Sequence, residues 1–306
     1  MMDYELAIIG GGPAGFTAGI YATRAGISTV LFDIGYGGGL MALSPEIENY
    51  PGFTSISGLD LADKMKEHVE KYMNLNFGES VEKLEVSEDE VKVTTSKKTY
   101  RVGAIIIATG TVHRKLGIQG EENLSGKGVS YCATCDGPFF KGKKVIVVGG
   151  GNSALIEAIA LKNMGIDVSL VHRRDVLRAE EAYEKQAKEV GVNVIYSTHL
   201  DEIKGEDRVK SVILDNFKDG THREMEIDAV FVSIGEEPQT QLAKQIGVEL
   251  DEKGFIKTDK NMRTNIKRVY AAGDITGGLR QIVTACAEGA IAALSSTEVL
   301  GKVYPY

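Results

Sequence analysis

The chain has 306 residues, 43% of them hydrophobic and 25% charged, the balance of a soluble globular protein long enough for one large or two medium domains. A net charge of −8 with no offsetting basic run excludes an electrostatic nucleic-acid binder. Met1-Met2-Asp3-Tyr4 leads straight into an apolar strand, with no basic n-region, small-residue cleavage site or long apolar span, and three cysteines suit a reducing compartment, so a cytoplasmic protein engaging neither membrane nor nucleic acid is expected.

Tyr4 to Ile9 predicts a buried strand, followed by Gly10-Gly11-Gly12-Pro13-Ala14-Gly15, a helix to about Ala25, and a second strand, Thr29 to Phe32, that ends at Asp33. A bare GxGxxG is weak, but here it stands between a strand and a helix. Gly10 allows a tight turn, Gly12 lets the backbone approach a pyrophosphate, and Gly15 lets helix and strand pack closely. The helix start receives the phosphate charge, and Asp33 can accept from a ribose hydroxyl. Dinucleotide binding is expected. Leu61, Met65, Val69 and Met73 repeat at helical spacing within Leu59 to Met73, an amphipathic surface helix. Residues 81–102 alternate as short antiparallel strands, and Ala104 to Ala108 is a buried strand ending at Thr109-Gly110.

Cys132-Ala133-Thr134-Cys135-Asp136 follows. Two thiols at this spacing can close and reopen a small ring, one attacking an outside disulfide and the other resolving it. Zinc shares the spacing but wants four ligands, and only Cys286 remains, with no ligand pattern among five histidines. A redox dithiol with no metal is the better reading, and Cys286, among small apolar residues, reads as packing.

A second copy of the nucleotide pattern comes next. Lys144 to Val148 is a strand, Gly149-Gly150-Gly151-Asn152-Ser153-Ala154 is GxGxxA, and a helix runs from Leu155 to Met164. The strand Val168 to Val171 ends not in an acid but in His172-Arg173-Arg174, with Arg178 close behind. Arginines at this strand end suit a 2′-phosphate and point to NADPH; His172 is expected at the ribose, with a cap on the strand end as its alternative role. Ala229 to Gly235 repeats the strand pattern of Ile105 to Gly110, as in an internal duplication. Beyond Pro238 come a buried strand ending at Gly273-Asp274 and a helix from Leu279 to Leu300. This incomplete third unit makes best sense if the tail completes the first domain. The expected fold is therefore α/β, with two Rossmann-like three-layer dinucleotide-binding domains, the second inserted into the first. Residues 1–114 and 240–306 form the outer domain and 115–239 the inserted one, with crossings near Lys115 and Gln239.

These motifs, with Glu48-Asn49-Tyr50-Pro51-Gly52 and Arg280-Gln281, run in order along the whole chain. They resemble the low-molecular-weight, bacterial- and archaeal-type thioredoxin reductases. The resemblance implies FAD in the outer domain, NADPH and the dithiol in the inserted one, a homodimer, and thioredoxin or a thioredoxin-like protein as partner. It implies that Cys135 lies against the flavin, that Cys132 is the interchange thiol and that Asp136 is a proton donor. Gly10, Gly12, Pro13, Ala14, Gly15, Asp33, Asn49, Thr109, Gly110, Gly273, Asp274, Arg280 and Gln281 would bind FAD. Gly149, Gly151, Asn152, Ser153, Ala154, His172, Arg173, Arg174 and Arg178 would bind NADPH. Because dithiol and nicotinamide share one domain, a swing of that domain is expected. Two departures stand out: Leu40 replaces a customary Gln, and Pro138 a customary aromatic. A related flavin enzyme using NADH, ferredoxin or a small dithiol is the alternative.

Overall fold

The structure, a computed structural model, describes residues 2–44 and 46–303. The chain divides into two compact units, Met1–Val112 with Glu237–Tyr306, and His113–Glu236.

In chain order, the first unit opens with β1 (Tyr4–Ile9), α1 (Pro13–Arg24), β2 (Thr29–Asp33), α2 (Gly58–Glu70) and β3 (Leu75–Phe77). Then come β4 (Val81–Val86), β5 (Val91–Thr95) and β6 (Thr99–Ile107). The crossing strand β7 (Thr111–His113) leads into the second unit. There lie β8 (Val129–Ser130), α3 (Ala133–Asp136), β9 (Lys144–Gly149), α4 (Asn152–Asn163), β10 (Asp167–Val171), α5 (Glu181–Glu189) and β11 (Asn193–Ile195). An antiparallel trio follows, β12 (Thr198–Gly205), β13 (Val209–Asn216) and β14 (Thr221–Glu226), and then β15 (Ala229–Ser233). The chain returns through β16 (Glu236–Pro238), which pairs with β7, to α6 (Gln241–Gln245), β17 (Val269–Ala271) and α7 (Ile282–Val299).

In the first unit the order is β3-β2-β1-β6-β5-β4. β6 changes partner along its length: Thr99 to Val102 pair antiparallel with β5, and Ile105 to Ile107 pair parallel with β17. That change brings the tail of the chain beside its start. In the second unit β11-β10-β9-β15-β8 form a parallel sheet, and β12-β13-β14 a separate antiparallel one. The pleat sends Val145 and Val147 of β9 toward Leu155 and Ala158 of α4. Ile146 and Val148 turn the other way, onto Leu200, Ile203, Val212 and Leu214. Two sheets and a helical layer thus enclose two cores.

Two helices begin elsewhere than the apolar pattern indicates. α4 starts at Asn152, because the glycine loop itself feeds the helix with Gly151 as N-cap. α7 starts at Ile282, where Gln281 and Thr284 form a capping box. α7 is long and apolar enough, by length and composition alone, to cross a membrane, contrary to the expectation that no such span exists. Here it packs on α1, where a methyl on Gly289 would run into the Ala14 carbonyl.

Candidate active site

The first nucleotide cradle is built at the ends of β1, β2, β6 and β17. Its glycines divide by what a side chain would meet. A methyl on Gly10 would strike the Ala108 carbonyl, and one on Gly15 the Gly10 carbonyl. Gly10 also has φ +112°, which disfavours any other residue. Gly12, by contrast, has an ordinary φ of −83° and nothing within 4 Å of such a methyl. Fold geometry does not demand a glycine there, whereas a bound pyrophosphate does. Pro13 is the first residue of α1, where its missing N–H costs nothing.

The other predicted residues of the first unit pair with one another or sit near its strand ends. Gly273 packs on Ala14 and donates its amide to Glu288 Oε2 at 2.7 Å, and Asp274 follows. Asn49 Nδ2 donates to Gln281 Oε1 at 3.0 Å, although 232 positions separate them. Arg280 precedes Gln281 on the exposed turn before α7. Thr109 and Gly110 follow β6, where the Thr109 hydroxyl donates to the Gln239 carbonyl at 2.8 Å and the Gln239 amide to the Gly110 carbonyl at 3.0 Å. Asp33 has more to do than the motif implies. Its two oxygens accept from the amides of Gly11 and Gly35, each at 2.7 Å, so it ties the glycine loop to the end of β2 before it meets any ribose.

The second cradle repeats the division. A methyl on Gly149 would strike the Ser233 carbonyl, whereas Gly151, with φ −106°, has open space. Ser153 and Ala154 lie in the first turn of α4. Arg173, Arg174 and Arg178 are exposed on the segment after β10. His172 is 4% exposed, with its ring nitrogens 2.8 Å from the Gly149 carbonyl oxygen and 3.0 Å from that of Val176. A protonated ring nitrogen donates to one of these carbonyls, so the ring ties the glycine loop to the segment after β10.

Cys132 and Cys135 form a disulfide with their Cα atoms 5.3 Å apart. Cys132 is the N-cap of the short α3, and its sulfur accepts from the Cys135 amide at 3.3 Å. The Cys132 amide donates to Ser130 Oγ at 3.1 Å. A hydrogen-bond donor already aimed at this sulfur favours the thiolate once the ring opens. Asp136 is 9% exposed, and its Oδ1 lacks a hydrogen-bond partner among the described residues. Burial holds its carboxyl above the usual carboxylate range, opposed in part by the Ser130 hydroxyl. Gly137 lets the turn sit on α4, with a methyl there only 2.7 Å from Leu161 Cδ2. Pro138 falls in the first turn of a 3₁₀ helix, Gly137–Phe140, where a proline is at home.

The sequence did not reveal how the dithiol is held in its unit. Tyr131, next to Cys132, donates its hydroxyl to Glu121 Oε1 at 2.8 Å. Glu121, 1% exposed, also accepts from the amides of Leu116 and Gly117, each at 2.8 Å. On its other side the Tyr131 ring stacks on His113, centroids 4.8 Å apart and planes 11° from parallel. No spacing rule marks Glu121, because its partners are two backbone amides and one distant tyrosine.

Two glycine cradles and a closed CxxC in one chain are the parts of a nucleotide-linked disulfide enzyme. The family profile for pyridine nucleotide-disulphide oxidoreductases matches residues 4–289. The chain belongs to this family. A thioredoxin reductase of Listeria innocua serovar 6a is 45% identical over 94% of this chain and 91% of its own length. One of Bacillus subtilis strain 168 is 42% identical over 95% and 93%. Among solved structures, thioredoxin reductase from Streptococcus pyogenes MGAS5005 aligns with a TM-score of 0.92 at 41% identity, covering 97% of this chain and 98% of the other. That of Lactococcus lactis, in its FR conformation, aligns at 0.68 with 40% identity, covering 98% and 99%. The redox pair here is the Cys132–Cys135 disulfide within one chain.

Proposed function

We propose that this chain is an NADPH-dependent thioredoxin-disulfide reductase that uses FAD. The observation that carries the reading is the closed Cys132–Cys135 ring beside the buried, unpartnered oxygen of Asp136, in a chain with two nucleotide cradles. The space over Gly12, bordered by the start of α1, suits the FAD pyrophosphate, and we assign Asp274, Arg280, Gln281, Asn49 and Thr109 as further contacts to FAD. Over Gly151 the same space, with the Arg178 amide bonded to Gly150 and Arg173 and Arg174 on the same segment, suits NADPH. Bound FAD supplies a two-electron carrier between a nicotinamide hydride and a disulfide.

The protein's own part is thiol exchange. After two electrons open the ring, the Cys132 thiolate attacks the partner's disulfide, forming a mixed disulfide and expelling one partner sulfur. Cys135 then attacks Cys132 Sγ, expels the second partner sulfur and closes the ring again. The partner leaves with two electrons and two protons, and Asp136 delivers a proton to a departing thiolate. Because the dithiol and the NADPH cradle belong to one unit and the FAD cradle to the other, the inserted unit turns on the crossings formed by β7 and β16. The solved relatives support such freedom: at 41% and 40% identity their TM-scores of 0.92 and 0.68 differ far more than their sequences do.

The partner is thioredoxin or a thioredoxin-like protein, and the enzyme is a cytoplasmic homodimer joined through the first unit. Supporting the dimer, only a third of α7 is buried, and Val283 and Ile291 stand 44% and 39% exposed. The test is anaerobic reduction of the purified yellow protein, followed by a disulfide-reporter assay. NADPH, not NADH, should bleach the flavin, and reporter turnover should need added thioredoxin. Bleaching by NADH alone, or turnover independent of thioredoxin, would favour another donor or acceptor.

A further inference from the structure

The two stretches proposed to hold NADPH are bonded to each other. The Arg178 amide donates to the Gly150 carbonyl at 2.7 Å. His172 joins Gly149 to Val176 through its two nitrogens, and a methyl on Gly150 would enter its ring. Carbonyl oxygens only accept, so a ring with one proton satisfies one of them and a ring with two satisfies both. Further out, Asn152 and Glu180 form a reciprocal pair. Asn152 Nδ2 donates to Glu180 Oε1 at 2.7 Å, and the Glu180 amide donates to Asn152 Oδ1 at 2.8 Å. Asn152 is the first residue of α4 and Glu180 the N-cap of α5, so this pair fastens two helix starts together. Glu180 itself is exposed, and a carboxylate near a phosphate site is otherwise unfavourable.

We infer that His172 and the Asn152–Glu180 pair form a clasp that selects the dinucleotide by fixing the arginine-bearing segment against the pyrophosphate loop. The inference rests on the NADPH reading above. His172 and Glu180 are positioning residues, acting through Gly149, Asn152 and Arg178 rather than touching the cofactor. Asn152 is thereby committed to Glu180 through both ends of its amide. A nucleotide with a 2′-phosphate engages loop and arginines at once, so its affinity depends on their separation. One without that phosphate uses the loop alone and is indifferent to the Asn152–Glu180 pair.

The experiment uses the full chain loaded with flavin and three variants. Glu180→Ala removes one bond of the exposed pair, Glu180→Gln keeps an oxygen for Asn152, and His172→Phe keeps ring volume without nitrogens. Calorimetry with adenosine 2′,5′-bisphosphate and with AMP reads binding directly, and steady-state KM for NADPH and NADH reads it in turnover. In Glu180→Ala and His172→Phe, binding of the bisphosphate should weaken and KM for NADPH should rise, each by roughly fivefold. In Glu180→Ala, AMP, NADH and kcat should stay within about twofold; His172→Phe, which also loosens Gly149, should weaken the bisphosphate more than AMP; and Glu180→Gln should match the parent. Equal losses for both nucleotide types, no loss for either, or failure of Glu180→Gln to match would overturn the clasp. Should His172→Phe not fold, Glu180→Ala decides alone. A parent protein with no preference for the 2′-phosphate would instead overturn the underlying NADPH reading.

Discussion

Gly12→Ala separates a glycine that the fold needs from one that a ligand needs. An added Cβ at Gly12 meets nothing within 4 Å, and the residue's φ of −83° is open to alanine. As an N-cap, alanine is worse than glycine by a few tenths to about 1 kcal/mol. The lost freedom of the unfolded chain returns about 0.4–1 kcal/mol. The two nearly cancel, so the urea midpoint should hardly move. In the cradle the same methyl meets the pyrophosphate, and overpacking of this kind costs about 1–3 kcal/mol. FAD affinity should therefore fall by roughly 5- to 150-fold. The assay is flavin fluorescence quenching as FAD is added back to apoprotein, beside urea unfolding of the same preparation. Gly15→Ala is the control, because its methyl enters the Gly10 carbonyl and should destabilise the fold itself. Unchanged FAD affinity in Gly12→Ala, or a stability loss equal to that of Gly15→Ala, would refute the reasoning.

Gly151→Ala, with equally open space, should leave the protein yellow and folded while raising KM for NADPH by about fivefold or more, measured in the thioredoxin-coupled assay. Asp136 titrates above its unfolded range, so its contribution to stability is fully present below the unfolded carboxylate pKa of about 4 and is lost as pH rises through the folded value. Asp136→Asn should thus gain in melting temperature relative to the parent between acid and neutral pH; a constant difference across that range would contradict the burial argument. Glu121→Gln turns a donor toward a buried amide and should cost about 1–3 kcal/mol, whereas Tyr131→Phe removes a single hydrogen bond and should cost about 1 kcal/mol, both read from urea midpoints.

What could be read in the chain beforehand follows from where chemistry constrains local sequence. A phosphate cradle needs glycines at fixed offsets between a strand and a helix, so Gly10 to Gly15 and Gly149 to Ala154 are visible as motifs. A reversible disulfide likewise needs its cysteines close in sequence. Contacts made by the fold are not visible in that way. Asn49 meets Gln281 across most of the chain because β6 takes β17 as a partner. His172 shows the same limit: its place after a strand marks it as part of the cradle, but whether its ring turns outward or under Gly150 is decided by packing. The antiparallel trio β12 to β14 is obscured in sequence by register shifts at Leu200/Glu202 and Lys204/Gly205, which break its alternation. Asp33 shows the reverse case, a residue whose position is legible but whose first duty, to the amides of Gly11 and Gly35, is not.

The most direct test of the electron path is to count how many reducing equivalents the protein accepts without oxygen. Titrated with NADPH, the yellow parent should take up about two equivalents per chain, one for the flavin and one for the Cys132–Cys135 disulfide. A variant with both cysteines replaced by serine should take up about one and bleach at its first addition. Equal uptake by the two proteins would contradict the account, because the disulfide would then lie outside the path.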